Sequence, residues 1–211
     1  YLLIIHGDFA SAAQTLANYW TSQGLRTRVV DINDVYNEFN YGIYHSIAIK
    51  SFLAYTFANW AVPPTYVLLI GDGHWNFKSY PRYNAPPIYM PPPLAWVDPI
   101  QGEVDSSNQL ASVVGVDPIP DVLIGRMPVN SISEANAAVA KITAYEGAQL
   151  QGWEKNITFV ADNVPDPAGD FVEASERMIS DYIEPGYTVS RIYENNYGCT
   201  TPPCPQVNQA I

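Results

Sequence analysis

Hydrolytic chemistry often needs an imidazole, and this sequence supplies three: His6, His45 and His74. His6 closes the apolar run Tyr1-Leu2-Leu3-Ile4-Ile5. His74 follows the run Tyr66-Val67-Leu68-Leu69-Ile70 through Gly71-Asp72-Gly73. Ligands and catalytic groups in open parallel sheets gather beyond the carboxyl ends of strands, which favours these two positions over His45. The plainer role for each is a hydrogen bond to its own loop, and His6 and His74 with Asp8 and Asp72 make only a sparse metal set. Gly71-Asp72-Gly73 lacks the third glycine and the immediate helix of a dinucleotide fingerprint, so its glycines read as a tight turn. Cys199 and Cys204 lack the two-residue spacing of redox or zinc pairs; a loop disulfide or two inert thiols fits them better.

The carboxylates are more informative. No basic side chain lies between Arg82 and Arg126, a stretch that holds Asp98, Glu103, Asp105, Asp117 and Asp121. Asp162, Asp166, Asp170 and Glu173 form a second group ahead of Arg177. Calcium takes roughly six to eight oxygen ligands, commonly from loops with little regular structure. The sequence therefore carries an expectation of structural Ca²⁺, with Asp98, Glu103, Asp105, Asp117 and Asp166 as candidate ligands. Against it stands a solvated acidic surface, with Asp170 and Glu173 serving the start of a helix.

Composition narrows the function classes. The 211 residues include 10 Lys and Arg against 21 Asp and Glu, a net charge of −11 that repels nucleic-acid phosphates. The apolar share of 47% suits a buried core and excludes a disordered polyanion. No stretch reaches the ~18 apolar residues of a membrane span. Two cysteines cannot form a disulfide framework, but one loop bridge fits an oxidising compartment. Tyr1 already sits in a strand pattern, and Gln206 to Ile211 read as the start of a helix, so the sequence is expected to be a segment of a longer chain.

The elements that must position these residues alternate. Residues 1–7 read as a strand buried on both faces, followed by a helix with Phe9, Ala13, Leu16, Ala17 and Trp20 inward, a capping-box spacing at Ser11 and Gln14, and Gly24 at its end. Arg26 to Ile32 reads as a second strand. Ser46 is placed to cap a helix carrying Ile49, Phe52, Leu53, Phe57 and Trp60, which Pro63-Pro64 stops. Tyr66 to Ile70 is a third strand, and the β-α-β-α-β order predicts a parallel sheet with right-handed crossovers. Seven prolines between residues 81 and 99 exclude a central strand there, so 75–104 reads as an irregular excursion with edge pieces. Asp121 to Arg126 is a fourth strand. A helix capped by Ser131 and Glu134 follows, with Ile132, Ala135, Val139, Ile142 and Tyr145 expected inward. Gly147 to Gly152 marks a boundary at about residue 150. Beyond it come a strand at Ile157 to Ala161, a helix from Asp170 with Phe171, Ala174, Met178 and Tyr182 on one face, and a strand at Thr188 to Tyr193.

Several phrases jointly resemble the gingipain-type cysteine peptidases, family C25: YLLIIHGDF at the start, VYNEF at 35–39, AIKSFL at 48–53, PTYVLLIGDG at 64–73, PDVLIGRMPV at 120–129 and FVAD at 159–162. The resemblance implies a doubly wound parallel α/β subdomain over 1–150 and the beginning of a caspase-like α/β subdomain over 151–211. It implies a secreted or cell-surface cysteine endopeptidase acting on peptides or proteins through a Cys/His dyad beyond residue 211, so that this segment alone is expected to be inactive. Cys199 and Cys204 then lie too early to be the nucleophile, and Asp162 is the nearest match to the acid that orients the histidine. A non-catalytic secreted or cell-surface binding module on the same scaffold is the alternative.

Overall fold

The computed structural model describes residues 1–76, 87–115, 117–149, 151–162, 167, 169–198 and 204–211. The chain divides into two compact units, Tyr1–Gly147 and Ala148–Ile211. Four parallel strands form the sheet of the first unit: β1 (Leu2–Ile5), β2 (Arg28–Asp31), β3 (Tyr66–Ile70) and, after an excursion, β6 (Leu123–Met127), in the order β2-β1-β3-β6. All four residues of β1 are buried, because the strand pairs on both sides and is covered on both faces.

Helix α1 (Ala10–Ser22), between β1 and β2, and α5 (Ile132–Glu146), after β6, share one face of the sheet. Leu3, Ile5 and Ile70 meet Phe9, Leu16, Trp20, Ala135 and Val139 there. On the other face, Leu2, Ile4, Val67 and Leu69 pack against α2 (Ile32–Asn40) and α3 (Ile47–Asn59). This is a doubly wound sheet, as the β-α alternation predicts. Trp20 donates its indole N–H to Glu146 at 3.0 Å, tying the ends of α1 and α5 together.

From residue 87 onward the excursion is more regular than the sequence suggests. Strands β4 (Leu94–Asp98) and β5 (Gly102–Asp105) pair antiparallel as a hairpin outside the main sheet, and a short helix α4 (Asn108–Ala111) packs on α3. Prolines 91–93 precede the hairpin rather than interrupting its ladder.

Several local readings are corrected. Ser11 lies inside α1, which a 3-10 turn at Gly7–Phe9 introduces, and Phe9 stands at the N-cap without a side-chain bond. Residues 32–40 form a helix that the sequence reading leaves out; Asp31 caps it by accepting the Asn33 N–H at 2.8 Å. Ser46 occupies the N-cap position of α3, but the Ile47 N–H goes to Nδ1 of His45 at 3.0 Å. The capping box at Ser131 is present, with Glu134 N–H donating to the serine hydroxyl at 3.2 Å. On that helix Ala135 and Val139 are buried, whereas Ile132 and Tyr145 are 57% and 58% exposed: Ile132 is on the stripe but is the first helical residue, and Tyr145 lies in the last turn and off the centre of the stripe.

In the second unit β7 (Asn156–Ala161) pairs parallel with β8 (Thr188–Tyr193), joined through α6 (Phe171–Tyr182) and followed by α7 (Pro205–Ala210). Asp170 caps α6 by accepting the Glu173 N–H at 2.8 Å. Phe171, Met178 and Tyr182 share a helix face, as the spacing predicts, but all three are exposed.

Candidate functional site

Strands β1 and β3 are parallel neighbours whose connections leave in opposite directions, one to β2 and one towards β6. The crevice beyond their carboxyl ends is where a doubly wound sheet ordinarily takes its ligand. His6 and Gly71–His74 flank it, as the sequence predicts, but the crevice is filled from within. Tyr89 places its ring 5.0 Å from that of His6 and 4.8 Å from that of Phe9, and its hydroxyl donates to the Asn130 carbonyl at 3.3 Å. The glycines serve this return of the chain. Gly71 has φ of 136°, and a Cβ there would lie 2.7 Å from Tyr89 Cβ; a Cβ on Gly73 would lie 2.1 Å from the Met90 carbonyl oxygen. Tyr89 and Met90 both donate their N–H groups to the Asp72 carbonyl at 2.9 Å. The close approach belongs to the chain's own backbone, not to a phosphate.

Arg126 holds this arrangement from β6. Its guanidinium donates to the Met90 carbonyl at 3.1 Å and to Ser107 Oγ at 3.4 Å. Burial pulls the guanidinium below its ordinary pKa, while Asp105 and Asp72 act in the opposite sense. Asp72 Oδ1 accepts the Gly73 N–H and Oδ2 accepts Nδ2 of Asn130, each at 2.8 Å. Tyr36 and Tyr44 stand close by with rings 5.2 Å apart, and their buried hydroxyls, like Arg126 Nε, have no hydrogen-bond partner among the described residues. Burial, more than any neighbouring charge, raises the pKa of both tyrosines.

Beside this network lies a cavity of about 380 Å³, whose polar wall includes Asp72, His74, Glu103, Asp105 and Arg126, with Trp75 at its side. A second cavity of about 340 Å³ shares Pro92, Leu94 and Glu103 with it and is lined also by His45, Ser46 and Lys50. His74 belongs to the first cavity, yet its Nδ1 accepts the Asn76 N–H at 3.1 Å; His6 Nδ1 accepts the Asp8 N–H at 3.3 Å. Both histidines fold back on their own loops.

Of the predicted calcium ligands Asp98, Asp105 and Asp117 have separate local partners, as does the neighbouring Asp121. Asp98 accepts the N–H groups of Ile100 and Gln101 in the hairpin turn, at 2.7 and 2.8 Å. Asp117 accepts the Ile119 N–H at 3.0 Å, Asp121 those of Val113 and Val114, and Asp105 the Ser107 hydroxyl. Glu103 lines both cavities. Asp166 lies outside the described residues, and among those described no group of three or more His, Cys, Asp or Glu side chains is placed to hold a metal.

In the second unit Asp162 is the first residue after β7 and is exposed at the carboxyl end of the parallel pair. Glu176 on α6 accepts Arg191 Nε and the Tyr193 hydroxyl from β8, both at 2.7 Å. Those bonds, Arg191 first, hold the Glu176 carboxyl below its ordinary pKa. Cys204 is disulfide-bonded. Cys199 lies outside the described residues.

The model for peptidase family C25 matches residues 1–211. The chain belongs to peptidase family C25. Solved structures with the same fold include the complex of the pro- and mature domains of RgpB from Porphyromonas gingivalis, at 18% identity and a TM-score of 0.65, covering 98% of this chain and 43% of that one. The Arg-specific cysteine proteinase gingipain R (RgpB) matches at 19% identity and a TM-score of 0.65, covering 91% of this chain and 40% of that one. Dimeric latent PorU from Porphyromonas gingivalis matches at 24% identity and a TM-score of 0.52, covering 69% of this chain and 15% of that one. The chain thus spans less than half the length of each of these structures. No curated protein matches it. Among the described residues no helix is long and apolar enough to cross a membrane.

Two features of this C25 chain escape a reading of its sequence. Tyr89 sits in the proline-rich excursion, where nothing local marks it as the plug of the sheet's ligand crevice. Arg126 is the lone base after a long acidic stretch, and that isolation was a usable signal: a cation at a strand's end, with acids on both sides in sequence, is placed to collect carbonyls and carboxylates.

Proposed function

We propose that this C25 chain is the leading part of the catalytic region of a secreted cysteine endopeptidase whose nucleophilic cysteine and histidine follow residue 211. The observation that carries this reading is the state of Cys204. A thiolate is the nucleophile in such chemistry, and a sulfur tied in a disulfide has no thiolate to offer. In the parent enzyme the thiolate adds to the scissile carbonyl, the histidine passes a proton to the departing amine, and water then hydrolyses the acyl-enzyme.

Within that division of labour the first unit is scaffold and Asp162 is the acid that orients the histidine. Its position supports the role: an exposed carboxylate directly beyond the carboxyl end of a strand in a parallel pair is open to a side chain from a neighbouring strand. The disulfide supports an oxidising, extracellular setting. Substrates are peptides or proteins, and the remainder of the same polypeptide is the principal partner.

Turnover of fluorogenic peptides tests this reading. The 211-residue chain is expected to give none, whereas a chain extended through the next Gly-His phrase and the cysteine beyond it cleaves peptide and is blocked by thiol alkylation. In that longer enzyme Asp162→Asn lowers kcat/KM by about tenfold or more. Cleavage by residues 1–211 alone overturns the proposal, and an inert extended chain points to a binding module on the same scaffold.

A further inference from the structure

The 340 Å³ cavity of the first unit carries charges that the protein does not neutralise. Lys50 is half-buried one turn into α3, and Glu103 lies on β5; both line this space, and among the described residues neither forms an ion pair. Ser46 is 7% exposed. It holds the N-cap position but caps nothing, since the Ile47 N–H is taken by the His45 ring. The next amides are engaged as well, Ala48 with the His45 carbonyl and Ile49 with that of Ser46. The Ser46 hydroxyl has no hydrogen-bond partner among the described residues and lines the cavity. Pro92, Leu94 and Leu110 add an apolar wall.

The Ser46 residue is buried, but its hydroxyl opens onto this cavity, where it can meet a polar group of a bound molecule. A simple anion would face Glu103, and a simple cation would face Lys50; a molecule with both charges satisfies both. The volume is at the lower end of the range for small-molecule sites, roughly 300–1,000 Å³, which selects a compact ligand. We infer that this cavity binds a small zwitterion with an apolar side chain, a free α-amino acid or a dipeptide. Its carboxylate meets Lys50 and the Ser46 hydroxyl, its ammonium meets Glu103, and its side chain lies against Pro92, Leu94 and Leu110. This inference stands apart from the peptidase reading, because no step of it involves a thiol or a substrate bond.

Calorimetric or NMR titration of the 211-residue chain with leucine and leucyl-leucine tests it. Saturable binding of at least one is expected. Masking either charge, in N-acetyl-leucine or leucinamide, should weaken it about tenfold or more, the loss of one charge-assisted contact. Lys50→Met and Glu103→Gln should each weaken it to the same degree, and Ser46→Ala by several-fold, while Tyr41→Ser, at a fully exposed position, leaves it unchanged. Thermal melts of the variants confirm that each is folded. Absence of binding up to about 10 mM overturns the inference. So does N-acetyl-leucine binding as tightly as leucine, which would make the cavity a plain anion site.

Discussion

The Arg126 guanidinium on β6 donates to the Met90 carbonyl at 3.1 Å, so one side chain fastens the returning segment 87–92 to the carboxyl end of the sheet. It also reaches Ser107 Oγ, whose own proton goes to Asp105. Removing the guanidinium leaves a buried carbonyl without its donor. Arg126→Gln is expected to lower unfolding free energy by about 2–3 kcal/mol, read from urea denaturation. Arg126→Lys should recover only part of the loss, because an ammonium lacks the fork that serves several acceptors at once. Full stability in the glutamine variant would mean that the segment is held by its backbone bonds to Asp72 alone.

Gly73 tests the same return from the opposite side. A Cβ at this position would be 2.1 Å from the Met90 carbonyl oxygen and 2.9 Å from Pro92 Cδ, and one of those contacts is with backbone that cannot swing aside. Gly73→Ala should therefore cost more than about 2 kcal/mol, whereas Gly24→Ala, whose Cβ meets nothing within 4 Å, pays only for its positive φ. Comparison of the two melting curves separates crowding from backbone strain.

The buried tyrosines behave oppositely to intuition. Tyr36 has a hydroxyl with no partner among the described residues, so Tyr36→Phe removes a polar atom that burial penalises and should leave stability unchanged or raise it by up to about 1 kcal/mol. Tyr89→Phe breaks its bond to the Asn130 carbonyl and should lower stability by about 1 kcal/mol. A clear loss in Tyr36→Phe would locate an ordered water between its hydroxyl and its neighbours.

Calcium depletion bears on the acidic stretch 98–121. There Asp98, Asp117 and Asp121 already accept backbone N–H groups in their own turns, which is the ordinary work of aspartate in loops. Addition of a chelator is expected to leave the melting temperature unchanged, by calorimetry. A drop restored by Ca²⁺ but not Mg²⁺ would show that a site assembles from residues beyond this set.

Strand and helix identity was largely legible because the first unit buries its strands on both faces. Runs such as YLLII and YVLLI have few alternatives, and the Ser131 capping box fixes where α5 begins. Helix α2 is hard to read for a physical reason: it starts directly after β2 with no intervening loop, so Ile32 reads as the end of the strand, although Ile32, Val35, Tyr36 and Phe39 have helical spacing. The candidate site was less legible. His6 and His74 were found at the correct edge of the sheet, but the crevice between them is closed by Tyr89, a contact made across a long sequence separation. Ser46 was correctly placed at a helix start, and only the structure shows that His45 takes over its capping role.

The second unit offers a pH-dependent test. Glu176 on α6 binds Arg191 and Tyr193, which lie two residues apart on one face of β8 and so both reach the same carboxylate. These bonds hold the Glu176 carboxyl below its ordinary range in the folded chain, while in the unfolded chain it titrates near about 4.3. A folded-state pKa that is depressed contributes stability above the unfolded value and loses it as pH falls through the folded one. The stability difference between the parent chain and Glu176→Gln should therefore be constant from neutral pH down to about 4.3 and shrink in more acidic solution. Both side chains of the ion pair are about two-fifths exposed, so added salt should also reduce the difference. Chemical denaturation of the two proteins across this pH range, followed by a probe in the second unit, reads the effect directly. Parallel pH profiles would mean that the carboxylate is not held by β8, and that α6 is fixed to the strands by its other contacts.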